Sequence, residues 1–232
     1  MMTLSPAEWQ AFGLSLQVAA FATLFGLPLA YFAAWTLSRR QFWGKGLVKA
    51  IIQLPLVLPP VVVGYLLLQI FGRNGAVGGP LATLGISIPF TTLAAGIAAG
   101  VMAFPLMVRA CRLSIEALDP KLEDAARIHG AGPVRRFLTL SLPLSMPGLL
   151  AGATLGFARG FGEFGATIVF AANIPGETRT LPIAIYSALQ SPSGDAAAAR
   201  MVTVSVIAAL SAFLLSEWLE RRTRSRLSGR SK

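Results

Sequence analysis

Charge is scarce in this sequence: 13% of its residues are Asp, Glu, Lys or Arg, against about 25% in soluble domains. With 54% apolar residues and a mean hydropathy of +0.65, the soluble globular class is excluded and the chain reads as an all-α integral membrane protein. Cysteine occurs once, at Cys111, which excludes an internal disulfide and a thiolate metal cluster. The one histidine, His129, has no second imidazole or thiol nearby in sequence, so it reads as a surface residue and no metal site is expected. The phosphate-cradling G-x-x-x-x-G-K-[ST] is missing. Its nearest fragment, Gly44-Lys45-Gly46, lacks the hydroxyl, so the chain is not expected to hydrolyse ATP. H-E-x-x-H and G-x-S-x-G are missing too, and no catalytic residue is assigned. Residues 1–10 lack the basic stretch and short apolar core of a cleaved signal peptide, so the first apolar run is expected to persist as a helix.

What is present is apolar sequence in long runs. A hydrocarbon core about 30 Å thick takes about 20 helical residues. Five runs meet that length, at 11–37, 47–71, 91–108, 140–170 and 201–218. Pro55, Pro59 and Pro60 interrupt the second. Prolines are tolerated where neighbouring helices or water satisfy the freed carbonyls, which places this span in the bundle interior or along a pathway. Pro143, Pro147 and Gly148 predict a bend near the start of the fourth.

Basic residues fix the orientation. Arg39, Arg40, Lys45 and Lys49 lie between runs one and two; Arg109, Arg112, Lys121, Arg127, Arg135 and Arg136 lie between three and four; six more crowd a tail at 219–232. Together these are 16 of the 20 basic residues, so the positive-inside rule puts the N-terminus outside and the C-terminus in the cytoplasm. Topology and anionic headgroups account for the net charge of +10, and no nucleic-acid partner is expected.

The most charged interior stretch, "EDAARIHGAGPVRRFLTLSLP", falls in a cytoplasmic loop. Asp119-Pro120 reads as the N-cap and first residue of a helix ending before Gly130, and Gly132-Pro133 starts another. Leu122, Ala125, Ala126 and His129 share one face of the first helix. Such a helix either rests on headgroups or, having Ala where large anchors would serve better, docks closely against another protein.

At this point the sequence resembles a family. ABC importer permeases carry a cytoplasmic "EAA" loop: E-A-A, three residues, Gly, nine residues, Ile, one residue, Leu-Pro. Here Asp124-Ala125-Ala126 is followed at the same spacing by Gly130, Leu140 and Leu142-Pro143, with Glu123 just before the motif. Asp replaces Glu and Leu replaces Ile. The blocks "LPLVLPPVVVGYLLLQIFGRNG", "VMAFPLMVRA" and "FARGFGEFGATIVFAANIPGETRTLP" are similar to the permease subunits of molybdate importers, with tungstate and sulfate permeases as near relatives. The resemblance spans about residues 8–220. It implies a single transmembrane domain over 1–232 with the type I importer permease fold and five spanning helices, and a coupling loop at about 113–140 that seats on a separate ATPase. It further implies a homodimer in the bacterial inner membrane, two ATP-binding subunits and a periplasmic or extracellular oxyanion-binding protein. ATP and Mg would belong to the partner, and this chain would bind no cofactor. A secondary transporter or channel is the other class, but the five runs show no convincing inverted repeat.

Within run four, Arg159 and Glu163 stand four residues apart. Charge at membrane depth is costly and pairs or faces water, so they read either as a structural ion pair or as a pathway gate. In a continuous helix, Arg before Glu is the poorer order. Thr154 and Thr167 are further pathway candidates, and Gly152, Gly156 and Gly160 suit close helix packing, with a dimer contact as one option. In the external loop, Glu177 and Arg179 are candidates for meeting a docking protein, with an ordinary solvated loop as the alternative. The stretch Leu181–Leu189 is too short to span.

Overall fold

The capping residues set where the helices begin. In the computed structural model, which describes residues 4–228, the chain runs α1 (Pro6–Arg39), α2 (Lys45–Val57), α3 (Pro60–Phe71), α4 (Gly78–Thr83) and α5 (Thr92–Glu116). It continues through α6 (Pro120–Ile128), α7 (Pro133–Arg136), a π-helical turn at Phe137–Ser141, α8 (Leu142–Leu144), α9 (Met146–Phe161), α10 (Gly165–Phe170), α11 (Leu181–Leu189) and α12 (Asp195–Ser228). Ser5 and Glu8 form a reciprocal capping box at the start of α1, with the Ser5 N–H donating to Glu8 Oε2 at 2.7 Å. Thr91 caps α5 by accepting from the Ala94 N–H at 3.2 Å. Residues 219–228 of the expected basic tail continue α12, whereas its last four positions and residues 1–3 lie outside the described residues.

α1, α5 and α12 are each long and apolar enough to cross a membrane. Two broken pairs bring the count to five if each pair is one span, in agreement with the five apolar runs. The second run breaks where Leu58 is extended and Pro59-Pro60 cannot continue the ladder, so α2 and α3 diverge by 117°. That corrects the bundle-interior option for the first half of the run: α2 buries none of its residues within this chain, and only α3 packs inward, through Val63, Gly64 and Leu67. The fourth run bends by 65° at Ser145, as Pro143 and Pro147 foretold. It then breaks again after Phe161, so α10 is a separate short helix.

α1, α5 and α9 form the core through small residues. Ala94, Ala95, Ala98, Ala99 and Ala103 of α5 are fully buried, and Gly148, Gly152, Gly156 and Gly160 line the facing side of α9. A Cβ at Gly148 would lie 2.3 Å from Ser114 Cβ, and one at Gly160 would lie 3.4 Å from Ala19 Cα. The glycine ladder therefore brings three helices of one chain together and is not available as a dimer contact, a correction to that option. Large apolar side chains point the other way: Leu24, Leu29, Phe32, Leu210 and Leu214 are all exposed. For a soluble monomer this would be an aggregation surface; for a bilayer protein it is the lipid or partner face. At the N-terminal end of α1, Arg200 Nη2 meets Glu8 Oε1 at 2.7 Å and the Leu181 N–H donates to Ser15 Oγ at 2.7 Å, tying α12 and α11 to α1.

Candidate functional site

The EAA segment folds as its residues predict. Asp119 accepts from the Lys121 N–H at 2.9 Å to open α6. His129 is the C-cap residue, and Gly130 follows at φ +76°. The Gly130 N–H donates to Arg127 O and the Ala131 N–H to Ala126 O, both at 3.0 Å, a Schellman stop that needs a left-handed residue after the cap. Gly132 then caps α7. Of the shared face, Leu122, Ala125 and His129 are exposed and Ala126 is half-buried. Beside it, Ile128 is 84% exposed and Val134 69%. An exposed helix, a glycine turn and a second helix thus present apolar side chains away from the core.

The two adjacent carboxylates separate in role. Glu123 faces inward: its Oε1 lies 3.1 Å from Arg39 Nη2 at the end of α1 and accepts from Ser141 Oγ at 3.1 Å in the π-helical turn. Asp124 is exposed and makes no hydrogen bond or ion pair among the described residues. Glu123 therefore anchors the loop to the membrane helices, leaving Asp124 as the carboxylate on the outer surface. Leu140 and Leu142 are half-buried, Leu142 against the cluster of Tyr31, Ala34 and Cys111, and Pro143 sits in α8.

Sequence reasoning missed the residues that join this loop to the bundle. Tyr31 Oη and Ser145 Oγ are 2.7 Å apart in the core, and Ser145 Oγ also donates to Ser141 O at 2.7 Å, filling the bend before α9. Phe137 meets the Tyr31 ring edge-on, with centroids 5.9 Å apart. The repeated Ser and Pro of "LSLPLSMP" were the available signal for a broken, hydroxyl-bridged helix start. Nothing local in the sequence links Arg39 to Glu123.

Farther along α9, Arg159 Nη1 and Glu163 Oε2 are 2.5 Å apart, close but not aligned as a hydrogen bond. Glu163 is buried, and its Oε1 accepts from the Ala166 N–H at 2.8 Å, so it also caps α10. Thr154 Oγ1 donates to Leu150 O at 2.9 Å within its own helix. Thr167 is fully buried, so a pathway role for it requires a conformation that uncovers it. In the loop between α10 and α11 Glu177 is exposed, whereas Arg179 turns inward to donate to Asn173 Oδ1 at 2.7 Å. The loop is knotted around Ile174 O, which accepts from the N–H groups of Glu177, Thr178 and Arg179. No cluster of three His, Cys, Asp or Glu suited to a metal occurs among the described residues.

Comparison with known proteins identifies the class. A model of the family described as binding-protein-dependent transport system inner membrane component matches residues 26–225. The chain is 53% identical over 226 residues to the molybdenum transport system permease protein ModB of Escherichia coli K12, covering 97% of this chain and 99% of that one. It is 52% identical over 221 residues to the protein of the same name from Haemophilus influenzae, covering 95% and 96%. Among solved structures, a bacterial alginate ABC transporter in complex with an alginate-bound periplasmic protein superposes with a TM-score of 0.75 at 19% identity, over 94% of this chain and 80% of that one. This last likeness shows the fold alone, that of an ABC importer permease. Matched by the family over most of its length and aligned nearly end to end with permeases of that class, the chain belongs to the binding-protein-dependent transport system inner membrane component family.

Proposed function

We propose that this chain is the membrane-spanning permease subunit of an ATP-driven importer for molybdate, acting as a homodimer with two separate ATP-hydrolysing subunits and an extracytoplasmic oxyanion-binding protein. The observation that carries this reading is the exposed α6–Gly130–α7 element at the EAA spacing, in a chain 53% identical to a permease described by molybdenum transport. ATP and Mg are assigned to the partner, and α6 with Leu122, Ala125, Asp124 and Ile128 to its docking groove. Force on α6 would pass inward by two routes: through Glu123 to Arg39 and α1, and through Ser141 and Ser145 to the bend that starts α9. Both routes end on helices of the core, so closure of the two ATPases would rotate spanning helices rather than only the loop.

The substrate is tested by uptake of labelled molybdate into cells that depend on this chain, with tungstate and sulfate as competitors. Saturable uptake that excess molybdate abolishes and equal sulfate leaves largely intact is the expected result. Equal competition by sulfate would reassign the substrate, and uptake without an associated ATPase would move the chain to the secondary transporters. Orientation follows from the basic residues at the α1–α2 and α5–α9 connections: the N-terminus outside, the C-terminus in the cytoplasm. Reporter fusions at the two ends should read opposite compartments; the same compartment at both would refute five spans.

A further inference from the structure

Two adjoining hollows between α1, α2 and α5 belong neither to the exposed α6–Gly130–α7 element nor to the Arg159–Glu163 region. The first, of about 220 Å³, is lined by Lys49, Gln53, Arg109, Arg112 and Glu116, with Leu37 and Ile52 at its apolar edge. It lies where spanning helices end: the first turns of α2, the last turns of α5 and the last residues of α1. Arg112 Nε is engaged by Glu116 Oε1 at 2.6 Å, whereas Lys49 and Arg109 make no hydrogen bond or ion pair among the described residues. The hollow therefore holds a surplus of two positive charges. The second hollow, of about 480 Å³, is almost wholly apolar and is bordered by Phe25, Leu29, Ile51, Ile97 and Phe104. Ile52 lines both, so the basic hollow and the apolar groove adjoin at that side chain, the groove's lining residues on α1 and α5 lying farther from these helix ends. Trp43, fully exposed in the loop before α2, and Trp35, with the Arg40 guanidinium 5.8 Å from its ring centroid, mark this end as the membrane–water interface.

We propose that these hollows form one site for an anionic phospholipid of the cytoplasmic leaflet. Lys49 and Arg109 hold the phosphate, Gln53 offers an amide N–H, and the groove takes an acyl chain. A small soluble anion accounts for the cations but leaves the groove unfilled, and a zwitterionic lipid fills the groove but leaves the two charges uncompensated. Basic hollows between helices on the cytoplasmic side suit anionic headgroups on general grounds. The site rests only on the chain lying in a bilayer with this end at headgroup depth, and not on which substrate is transported.

The test uses the assembled transporter, extracted gently and analysed by native mass spectrometry against added phosphatidylglycerol or phosphatidylcholine. The wild-type chain should retain phosphatidylglycerol preferentially. Each basic group near an anionic headgroup contributes roughly fivefold, so Lys49→Gln with Arg109→Gln should weaken retention on the order of 20-fold. Ile97→Trp, which fills the groove and leaves the charges, should lower retention of both lipids. Arg221→Gln with Arg222→Gln removes the same charge elsewhere and should leave retention unchanged. The proposal is overturned if the Lys49/Arg109 variant, monodisperse and still assembled with its ATPase, keeps the lipid. An equal loss in the tail variant would reduce the effect to net charge. Displacement of the lipid by millimolar molybdate would make the basic hollow an exit vestibule for the transported anion. Should the double variant fail to assemble, Ile97→Trp decides alone, since undiminished retention there removes the groove from the site.

Discussion

Gly130→Trp is expected to abolish uptake while the protein still inserts and melts nearly as the wild type does. Two effects separate at this residue. The left-handed backbone, φ +76°, costs an L-residue about 1–2 kcal/mol, which shifts the turn but does not unfold a membrane bundle. Within the chain a side chain meets nothing, since no atom lies within 4 Å of where a Cβ would stand. A bulky ring there is thus tolerated by the permease itself and intolerable only to something seated on the turn. Gly130→Ala carries the backbone cost without the bulk and should retain a substantial part of uptake. Loss of ATPase co-purification in the Trp variant, beside retention in the Ala variant, identifies the turn as a docking surface. A Trp variant that binds the ATPase and transports normally ends the coupling assignment.

The turn also shows how far local chemistry carries. Caps and stops read directly: Asp119, Gly130 and Gly132 each bound a helix at the position their chemistry demands, because each requirement involves backbone within a few residues. The number of spans was legible for a related reason, since hydrocarbon thickness acts on one helix at a time. What was not legible is how those helices are cut and joined. Run two was read as one span, in the bundle interior or along a pathway, yet Pro59-Pro60 divides it and α2 stays outside the core of its own chain. Burial is a property of neighbours, and hydropathy cannot tell a lipid-facing helix from an interior one. The ladder of Gly148, Gly152, Gly156 and Gly160 was legible as a packing surface but not as one filled by α5 and α1 of the same chain.

The coupling loop repeats the lesson at side-chain scale. Its pattern located an exposed helix–turn–helix, but Glu123 and Asp124 are indistinguishable as letters. Only the return of Arg39 from the end of α1, and of Ser141 from the π-helical turn, turns Glu123 inward. These tertiary partners supply what the proposed mechanism needs: a motor pushing on an isolated surface helix would bend the loop, whereas one pushing on a helix pinned at two points moves the bundle.

Glu163 is the residue at which substitution is expected to damage the fold most. Read along a continuous helix, Arg159 before Glu163 is the unfavourable order. The structure removes that objection, because α9 ends at Phe161 and α10 begins at Gly165. Arg159 thus sits in the last turn of one helix and Glu163 just before the first turn of the next, each at the end whose dipole favours its sign. Glu163 also supplies the acceptor for the Ala166 N–H. Glu163→Leu removes cap and counter-charge together from a buried position and should cost about 3–5 kcal/mol, seen as loss of monodisperse protein. Glu163→Gln keeps an acceptor for the cap and removes only the charge. Because the Arg159 side chain is 28% exposed, that variant should lose about 1–2 kcal/mol and transport in proportion to the folded protein recovered. The swap Arg159→Glu with Glu163→Arg preserves the pair on paper but should fail like the Leu variant, since Arg cannot accept from the Ala166 N–H and both charges then oppose the helix ends. A Gln variant with wild-type melting, ATP hydrolysis running and no uptake would instead make the charge a gate. A swapped protein that folds and transports normally would show that neither the cap nor the helix ends hold this break in place.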